Sequence, residues 1–506
     1  MMKLRSNSFV SYLLRPIKRC KYLLFLTLAF LFASAVHALP LNSTWEQANR
    51  AAVEGKTTEA IRLFRQLVQK SPNESKYSFN LAQMLTEAEQ YSEAETYFKK
   101  AVSQSNARRI HAGYASFLLS QNRPAEALPY ATRATGDKKA IGNVLLAKTY
   151  LSLHQADNCR STLVGALARN PRNNEALELL IPILLRSHET DLAAKLLRAA
   201  LQNFPEPEAL YWYGMLGVAV PNVTDAPRQF ERYLELYPRG KHRNDCIEHL
   251  KILKPAVDYK SRTDNHVNTY LSAPSNPMGD RVLKAGRKWI YDVRWKFLHL
   301  GNLKIETIGR TTFNGQPAWH LRYFTTSNPA IPGIDLDDVY DIFIDVDFRY
   351  TLSYVGAAKR DKRRWDFNSY AFDIKAGTFT SRAFDEDGYY YRIERDLPLD
   401  AYDGSSVLNW ARRTVAKNKA GKAITVVDDE YKYSTIKPGF VAENVKVENV
   451  NRGANKFNAE INYVGIAGMT GRAMGWITTD AEALPVKAMF EIKIGSIELR
   501  LEKVEG

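Results

Sequence analysis

Residues 44–72 read TWEQANRAAVEGKTTEAIRLFRQLVQKSP, and this stretch decides the fold of the first half of the chain. Two small residues stand twelve positions apart at Ala48 and Ala60, Phe64 follows four positions later, and Pro72 ends the unit. Small residues let two helices approach closely, and large apolar residues three and four positions away fill the adjoining space. Because proline lacks an N–H and clashes inside a helix, Pro72 marks a helix end. The stretch therefore predicts a pair of packed helices.

The same template recurs through residues 41–240. The small residues that open each second helix are separated by 34, 33, 32, 34 and 33 positions, and they are Ala60, Ala94, Ala127, Cys159, Ala193 and Ala226. Twelve positions before them stand Ala48, Ala82, Ala115, Ala147, Ile181 and Gly214. Four positions after them stand Phe64, Phe98, Ala131, Leu163, Leu197 and Phe230. One such unit cannot bury its apolar face alone, so we expect six units to stack into a solenoid with a concave surface.

This sequence resembles the tetratricopeptide repeat family at its period of about 34 residues. We place the α-solenoid at residues 41–253, with residues 240–253 as a terminal cap helix whose apolar stripe has helical spacing. Residues 254–286 are rich in proline and polar residues and predict a linker or an extended strap.

The resemblance implies a protein-binding groove lined by the first helix of each pair. By family position the lining residues are Phe79, Gln83, Val144, Lys148, Glu178, Tyr211 and Met215. Some members clamp C-terminal carboxylates with a Lys/Asn set; here Asn80 lies near one such position, but the next repeat has no matching set. The mixed lining favours an amphipathic helix or an extended peptide as partner. The alternative is that the repeats hold the protein's own domains together.

The first 38 residues predict a signal peptide. Six basic residues and no acidic residue accompany a short apolar run at 22–35, and small residues follow up to Ala38, where we expect cleavage. The run is shorter than the roughly 20 residues that span a bilayer, although an uncleaved inner-membrane anchor stays open. Export would place the protein in the periplasm of a diderm bacterium. Removing this segment lowers the formal net charge from +15 to +9, an excess that suits either anionic partners or simple solubility.

Residues 287–506 change to the pattern of a β domain. The stretch 289–295, WIYDVRW, alternates in the manner of a strand, and Asn314-Gly315 is a strong signal for a two-residue hairpin. Many short strands separated by turns, with a helix predicted only at 405–416, indicate a meandering antiparallel β-sheet or half-barrel. The fold class expected for the whole chain is therefore α + β multidomain.

This half also resembles DUF3108, a bacterial family of unknown function with periplasmic members. The resemblance spans about residues 289–504 and is carried by separated stretches in order, at 291–293 (YDV), 339–345 (VYDIFID), 372–377 (FDIKAG), 408–412 (LNWAR), 437–440 (KPGF), 476–480 (WITTD), 484–487 (LPVK) and 494–496 (IGS). It implies no known activity. The implied curved sheet looks like the half-barrels of periplasmic lipoprotein and lipid carriers, which is a likeness of fold and not of function.

The sequence carries no recognisable catalytic or cofactor motif. Nucleophile elbows, phosphate loops and zinc helices are missing from it. His242 and His249 lie about 10 Å apart along a helix, too far to share one ion with Cys246. The aspartates from Asp335 to Asp347 lack the order of a calcium loop. We therefore predict no enzyme activity, no metal and no cofactor.

A cationic stretch could form an anion patch, consisting of Lys359, Arg360, Lys362, Arg363 and Arg364, although a solvated hairpin explains it equally simply. Nucleic acid is not an expected partner of an exported protein. The function that we predict is a non-enzymatic periplasmic adaptor in cell-envelope assembly, which binds a protein partner through its repeats. The alternatives are a lipid or lipoprotein carrier with an open apolar concavity, and a cryptic hydrolase that would need a buried His299 or His320 beside a carboxylate.

Overall fold

The structure is a computed structural model that describes residues 43–506, apart from residues 138, 221, 332–334, 362–363, 428, 462–470 and 493–494. The predicted signal peptide, residues 1–38, lies outside the described residues. In the described part no helix is long and apolar enough to cross a membrane.

Twelve helices form six consecutive pairs at the N-terminal end of the described chain. They are α1 Thr44–Val53, α2 Thr57–Lys70, α3 Ser75–Glu87, α4 Tyr91–Gln104, α5 Arg108–Ser120, α6 Pro124–Ala134, α7 Ile141–Ser152, α8 Ala156–Arg169, α9 Asn174–Arg186, α10 Thr190–Ala200, α11 Pro207–Ala219 and α12 Ala226–Leu236. Each predicted second-helix anchor lies in an even-numbered helix of this series, so the predicted solenoid is confirmed.

The repeat template coincides with the core between the helices. All six anchors are at most 5% exposed, and the six residues four positions later are fully buried. Gly214 shows why the position twelve residues earlier is small, because a Cβ there would lie 2.5 Å from the ring of Phe230. Close approach of helices at small residues therefore builds every pair, as the sequence predicts.

Three further helices follow the six pairs. The cap helix α13 spans Arg243–Leu253 and buries Cys246 and Leu250. The segment predicted as a linker contains two helices that the sequence analysis missed, α14 at Tyr259–Leu271 and α15 at Met278–Val282. Asp258 caps α14 by accepting the backbone N–H of Ser261 at 3.0 Å.

The second half is a single sheet of sixteen strands among the described residues. The strands are β1 Lys288–Trp295, β2 Leu298–Phe313, β3 Gln316–Ser327, β4 Asp337–Asp345, β5 Thr351–Asp361, β6 Arg364–Asp373, β7 Thr378–Phe384, β8 Tyr390–Asp396, β9 Ala401–Asp403, β10 Gly421–Val427, β11 Glu430–Ile436, β12 Val441–Val447, β13 Val450–Ile461, β14 Gly471–Thr478, β15 Pro485–Ile492 and β16 Gly495–Glu505. Their order is β8-β7-β6-β5-β4-β3-β2-β1-β16-β15-β14-β13-β11-β10-β9, and β12 pairs with β13.

Neighbouring strands are antiparallel except for the short parallel pair of β9 and β10. The two ends of this order, β8 and β9, do not pair in the described structure, so the sheet is not closed. The first and last strands meet in its middle, where Trp289 lies opposite Val504. The predicted hairpin at Asn314-Gly315 is present, and both residues have the positive φ angles of a type I′ turn.

The sheet curls around the helix predicted at 405–416, which is α16 at Val407–Ala416. Strand β9 comes back to β5, where the Thr351 hydroxyl donates to Asp403 at 2.8 Å. From α16 the side chain of Arg412 enters the core, lies over the rings of Trp289 and Phe348, and donates to the carbonyl of Ala483. Burial lowers the pKa of Arg412 to about 10. A helix and a buried guanidinium therefore occupy the space in which an apolar concavity was an alternative expectation.

Candidate functional site

The seven residues predicted to line the repeat groove lie on first helices of the pairs but differ in burial. Three are buried among the helices, namely Phe79, Val144 and Tyr211. Four keep contact with solvent, namely Gln83, Lys148, Glu178 and Met215. Contact of these residues with a partner stays a prediction.

A turn of the β domain lies against the first helices of the second and third pairs. The side-chain amide of Asn80 on α3 donates to the carbonyl oxygen of Gly388 at 2.9 Å. Its carbonyl oxygen accepts the backbone N–H of Tyr390, also at 2.9 Å. The ring of Tyr389 meets Phe79 edge to face, with centroids 5.4 Å apart. One asparagine thus binds a carbonyl oxygen and an N–H group of the β7–β8 turn. We call the contacts of Phe79 and Asn80 with residues 388–390 the hairpin contact.

Charged and phenolic groups extend the hairpin contact along α3 and α5. Arg109 on α5 forms an ion pair with Asp385 at 3.1 Å and lies over the ring of Tyr391. The Tyr390 hydroxyl donates to Glu87 at 2.7 Å, and burial together with the charge of Glu87 raises the pKa of that phenol. Asp385 also accepts the backbone N–H of Tyr389, which fixes the turn that α3 binds.

A buried carboxylate makes a second junction between the two halves. Glu206 is 1% exposed and pairs with Arg172 from the solenoid and with Arg395 from β8, the latter at 2.7 Å. The two arginines also donate to the carbonyl oxygens of Tyr431 and Asp429, respectively. Burial opposes the charge of Arg395, but the charge and hydrogen bond of Glu206, together with the nearby phenols of Tyr431 and Tyr237, raise the pKa of the guanidinium overall. We call this group the Glu206 contact.

The last repeat makes a third junction. The carboxylate of Asp396 accepts the hydroxyl of Tyr233 at 3.2 Å and the backbone N–H of Lys241 at 3.0 Å. Beside it the backbone N–H of Leu399 donates to the carbonyl of Leu236 at 2.9 Å. Apolar residues of α11–α13 and of the sheet form one continuous core here. The first repeat contacts the sheet as well, where the Ser369 hydroxyl donates to the carbonyl of Val53 at 2.6 Å, so the solenoid binds its own β domain from the first repeat to the last.

Sequence reasoning singled out two residues of these junctions, Phe79 and Asn80. Asn80 was noted for its position near a carboxylate clamp, and the structure shows it bound to internal backbone groups. Arg109, Glu206 and Arg395 were missed, because their partners are up to about 300 positions away in the chain and no local period links them.

The predicted anion patch lies only partly within the described structure. The Lys359 ammonium is paired with Asp335 at 3.0 Å. Lys362 and Arg363 lie outside the described residues, and Arg360 and Arg364 belong to β5 and β6 without a described side chain. Anion binding by this patch stays a prediction.

The candidate metal ligands on the cap have other neighbours. His242 stacks on Tyr211 with centroids 3.8 Å apart, and His249 stacks on Phe230 at 5.2 Å. Cys246 is buried between them, and burial raises the pKa of its thiol. Among the described residues no group of three or more His, Cys, Asp or Glu side chains could hold a metal ion.

Both histidines named for the hydrolase alternative lie beside carboxylates. His299 Nδ1 is 2.6 Å from Asp292, and His320 Nε2 is 2.7 Å from Asp341. His299 is well exposed, and the Asp341 carboxylate is shared with Arg322. Within the described part of the chain neither ring is hydrogen-bonded to a Ser or Cys side chain, so the pairs supply a base and its orienting acid without a nucleophile.

Comparison with known families identifies the repeats. A tetratricopeptide repeat family model matches residues 46–108, 87–141 and 179–241. The helix pairs are thus tetratricopeptide repeats, a module typical of protein-interaction scaffolds. No curated protein matches the chain.

Solved structures similar to this chain cover its repeat region. PilF of Pseudomonas aeruginosa is 15% identical, with 44% of this chain and 96% of that chain covered and a TM-score of 0.34. PilW, described as a widely conserved type IV pilus biogenesis factor, is 16% identical, with coverages of 41% and 98% and a TM-score of 0.34. YrrB, a tetratricopeptide repeat protein with an unusual peptide-binding site, is 17% identical, with coverages of 34% and 90% and a TM-score of 0.28.

Proposed function

We propose that this chain is a non-enzymatic periplasmic adaptor in cell-envelope assembly, and that its repeat groove binds a segment of a protein partner. The observation that carries the proposal is the hairpin contact. There the groove recognises backbone groups through Asn80 and an aromatic side chain through Phe79. Because backbone groups are common to all peptides, an extended partner segment with a suitably placed aromatic residue offers the same chemistry.

The middle repeats offer a polar surface for the remainder of such a segment. Lys148 pairs with Glu175, and Glu178 pairs with Lys241, while all four side chains remain between 37% and 51% exposed. Exposed ion pairs contribute little to stability, so a partner can exchange them at low cost. Alternating charges on this surface favour a partner segment of mixed charge over an apolar helix.

Site-specific photo-crosslinking in cells tests the proposal. A photoreactive amino acid replaces Lys148 in the full chain, and a matched control replaces Lys195 on α10, a second helix with an exposed side chain. We expect irradiation at position 148 to capture a defined envelope protein, identified by mass spectrometry, that is absent at position 195. Crosslinks confined to the chain's own β domain at both positions would overturn partner binding and leave the repeats as an internal brace.

The location has a separate test. If export and cleavage proceed as we propose, the protein purified from the periplasmic fraction begins at Leu39. N-terminal sequencing of that fraction gives the answer directly. A chain retained in the inner membrane with its first residues intact would instead establish an anchored adaptor.

A further inference from the structure

A cationic cavity lies between α14, α15 and α16. Its volume is about 820 Å³ and it is open to solvent. Four basic side chains line it, and we define the cationic cavity by them: Arg262 from α14, Arg281 from α15, and Arg413 and Lys417 at the end of α16. Asn265 and Asn276 add amide groups to the same wall.

A fourth arginine in the wall is structural. Arg349 is 5% exposed, forms an ion pair with Asp345, and donates to the carbonyl oxygen of Ser272 at 2.8 Å. It also donates to the carbonyl of Tyr270. Four of its five N–H donors are thus engaged, so Arg349 holds α14 against the β4–β5 turn and shapes the wall.

The other four cations are not balanced by carboxylates. Asp347 serves two of them at once, since one of its oxygens lies 3.0 Å from Arg413 Nε and 4.0 Å from Lys417 Nζ. Its other oxygen accepts the backbone N–H of Met278 at 2.9 Å. Neither Arg262 nor Arg281 has a carboxylate at ion-pair distance among the described residues.

The positive excess persists when every nearby acid is counted. Asp400 also acts on Arg413, and Glu231 acts on Arg262, so three negative charges face the four positive ones, and Glu231 is shared with Lys254. The pKa of Lys417 is lowered, first by desolvation and then by repulsion from Arg413, Lys419 and Arg281. Like charges held together in a partly desolvated wall are stabilised by an anion that enters between them.

We infer that the cationic cavity binds a phosphate ester, with the phosphate oxygens accepting from Arg281, Arg413 and Lys417. Guanidinium groups present paired N–H donors that match phosphate oxygens, and the positive excess of the wall favours an anion. The volume exceeds that of the phosphate alone, so the ester carries an organic group that reaches the asparagines. This binding is independent of the proposed adaptor function, because no residue of the repeat groove lines the cavity.

Calorimetry and vesicle flotation with the full mature chain test the inference and distinguish the source of the ester. The soluble probe is glycerol phosphate, titrated calorimetrically, and the lipid probe is phosphatidylglycerol in phosphatidylcholine vesicles. The test variant is Arg281→Gln with Lys417→Gln, two exposed residues whose loss leaves the core intact. The control, Arg472→Gln with Lys503→Gln, removes the same charge from exposed positions on β14 and β16.

We expect the wild type and the control to bind, and the test variant to bind at least about tenfold more weakly, since each removed charged hydrogen bond is worth about that factor. Binding of glycerol phosphate identifies a soluble ester, and binding of the anionic vesicles alone identifies a lipid headgroup. If the wild type binds neither probe, or if the test variant and the control lose the same affinity, the inference is overturned. Should the double variant misfold, Arg281→Gln alone, on the exposed face of α15, gives the same comparison.

Discussion

The hairpin contact and the Glu206 contact join the same two halves of the chain with different chemistry. At the hairpin contact the central group is a neutral amide, and its ion pair, Arg109–Asp385, keeps about a quarter of each side chain exposed. At the Glu206 contact a carboxylate that is 1% exposed holds two arginines. The first junction resembles a bound peptide, and the second resembles the interior of a domain.

This difference teaches which part of the solenoid is available to a partner. Near Glu206 the helices and the sheet share one hydrophobic core, so separation there exposes apolar surface and buried charge together. The β7–β8 turn also packs on the core of the first repeats, through Tyr389, Tyr390 and Phe384, but the β domain contributes far fewer residues to that core than to the core near Glu206. We therefore expect local opening at the hairpin contact before any opening at the Glu206 contact.

The largest expected effect comes from removing the buried charge. Glu206→Gln leaves Arg395 without a carboxylate and Arg172 with only its longer pair to Glu430 at 3.7 Å, and we expect the free energy of unfolding to fall by about 3 kcal/mol. Urea unfolding followed by tryptophan fluorescence measures it. The matched control is Glu189→Gln, which breaks the Arg160–Glu189 pair on the solenoid surface and is expected to lower the free energy of unfolding far less. Equal losses of unfolding free energy in the two variants would contradict the expectation that the buried carboxylate contributes more than the exposed one.

Asn80→Ala tests the hairpin contact. It removes both hydrogen bonds to the turn, and we expect the local stability of the contact to fall by about 1–3 kcal/mol. Hydrogen exchange at the Tyr390 amide reports this loss, while urea unfolding changes less than in Glu206→Gln. The control Asn158→Ala breaks an exposed hydrogen bond to Gln155. An unchanged exchange rate at Tyr390 would mean that the turn is held by its aromatic contacts alone.

The solenoid could be predicted from the sequence because its packing is local. Each anchor contacts residues within one or two repeats, so a period of about 34 residues records the core directly. Helix α14 escaped prediction for the opposite reason. It buries only Tyr259, Thr263 and Val267, which is too weak a stripe to stand out in a segment bounded by prolines.

The β domain shows which structural features can be predicted from neighbouring residues alone. The turn at Asn314-Gly315 and helix α16 follow from neighbouring residues and were predicted correctly. The pairing of β1 with β16 joins residues more than 200 positions apart, and alternation of side chains does not specify which strands are neighbours. The candidate site has the same limit, because the contact of Phe79 with Tyr389 joins the two halves of the chain and no local pattern records it.

An ion pair inside the solenoid predicts how the stability of the protein depends on pH. Arg123 and then Lys99 hold the pKa of Glu95 at about 2, below its ordinary value of 4.5. The stabilisation of the folded state by ionised Glu95 is therefore complete above about pH 4.5 and is lost as the pH falls toward 2. The wild type loses unfolding free energy over this pH range. We expect Glu95→Gln to lose about 1–2 kcal/mol less, allowing for solvent screening. Acid unfolding curves of the two proteins with the same slope in this window would contradict that expectation.

The smallest expected effect concerns the ion pair of the hairpin contact. Arg109→Gln is expected to cost about 0.5–1 kcal/mol, because both side chains keep contact with water. Asp385 also accepts backbone N–H groups of its own turn, so Asp385→Asn alone mixes two losses. A double-mutant cycle isolates the coupling between the two side chains. That coupling should shrink as salt is raised, since screening acts on exposed pairs. A salt-independent coupling as large as the Glu206→Gln loss would place both junctions in the same class and remove the reason to expect the hairpin to open first.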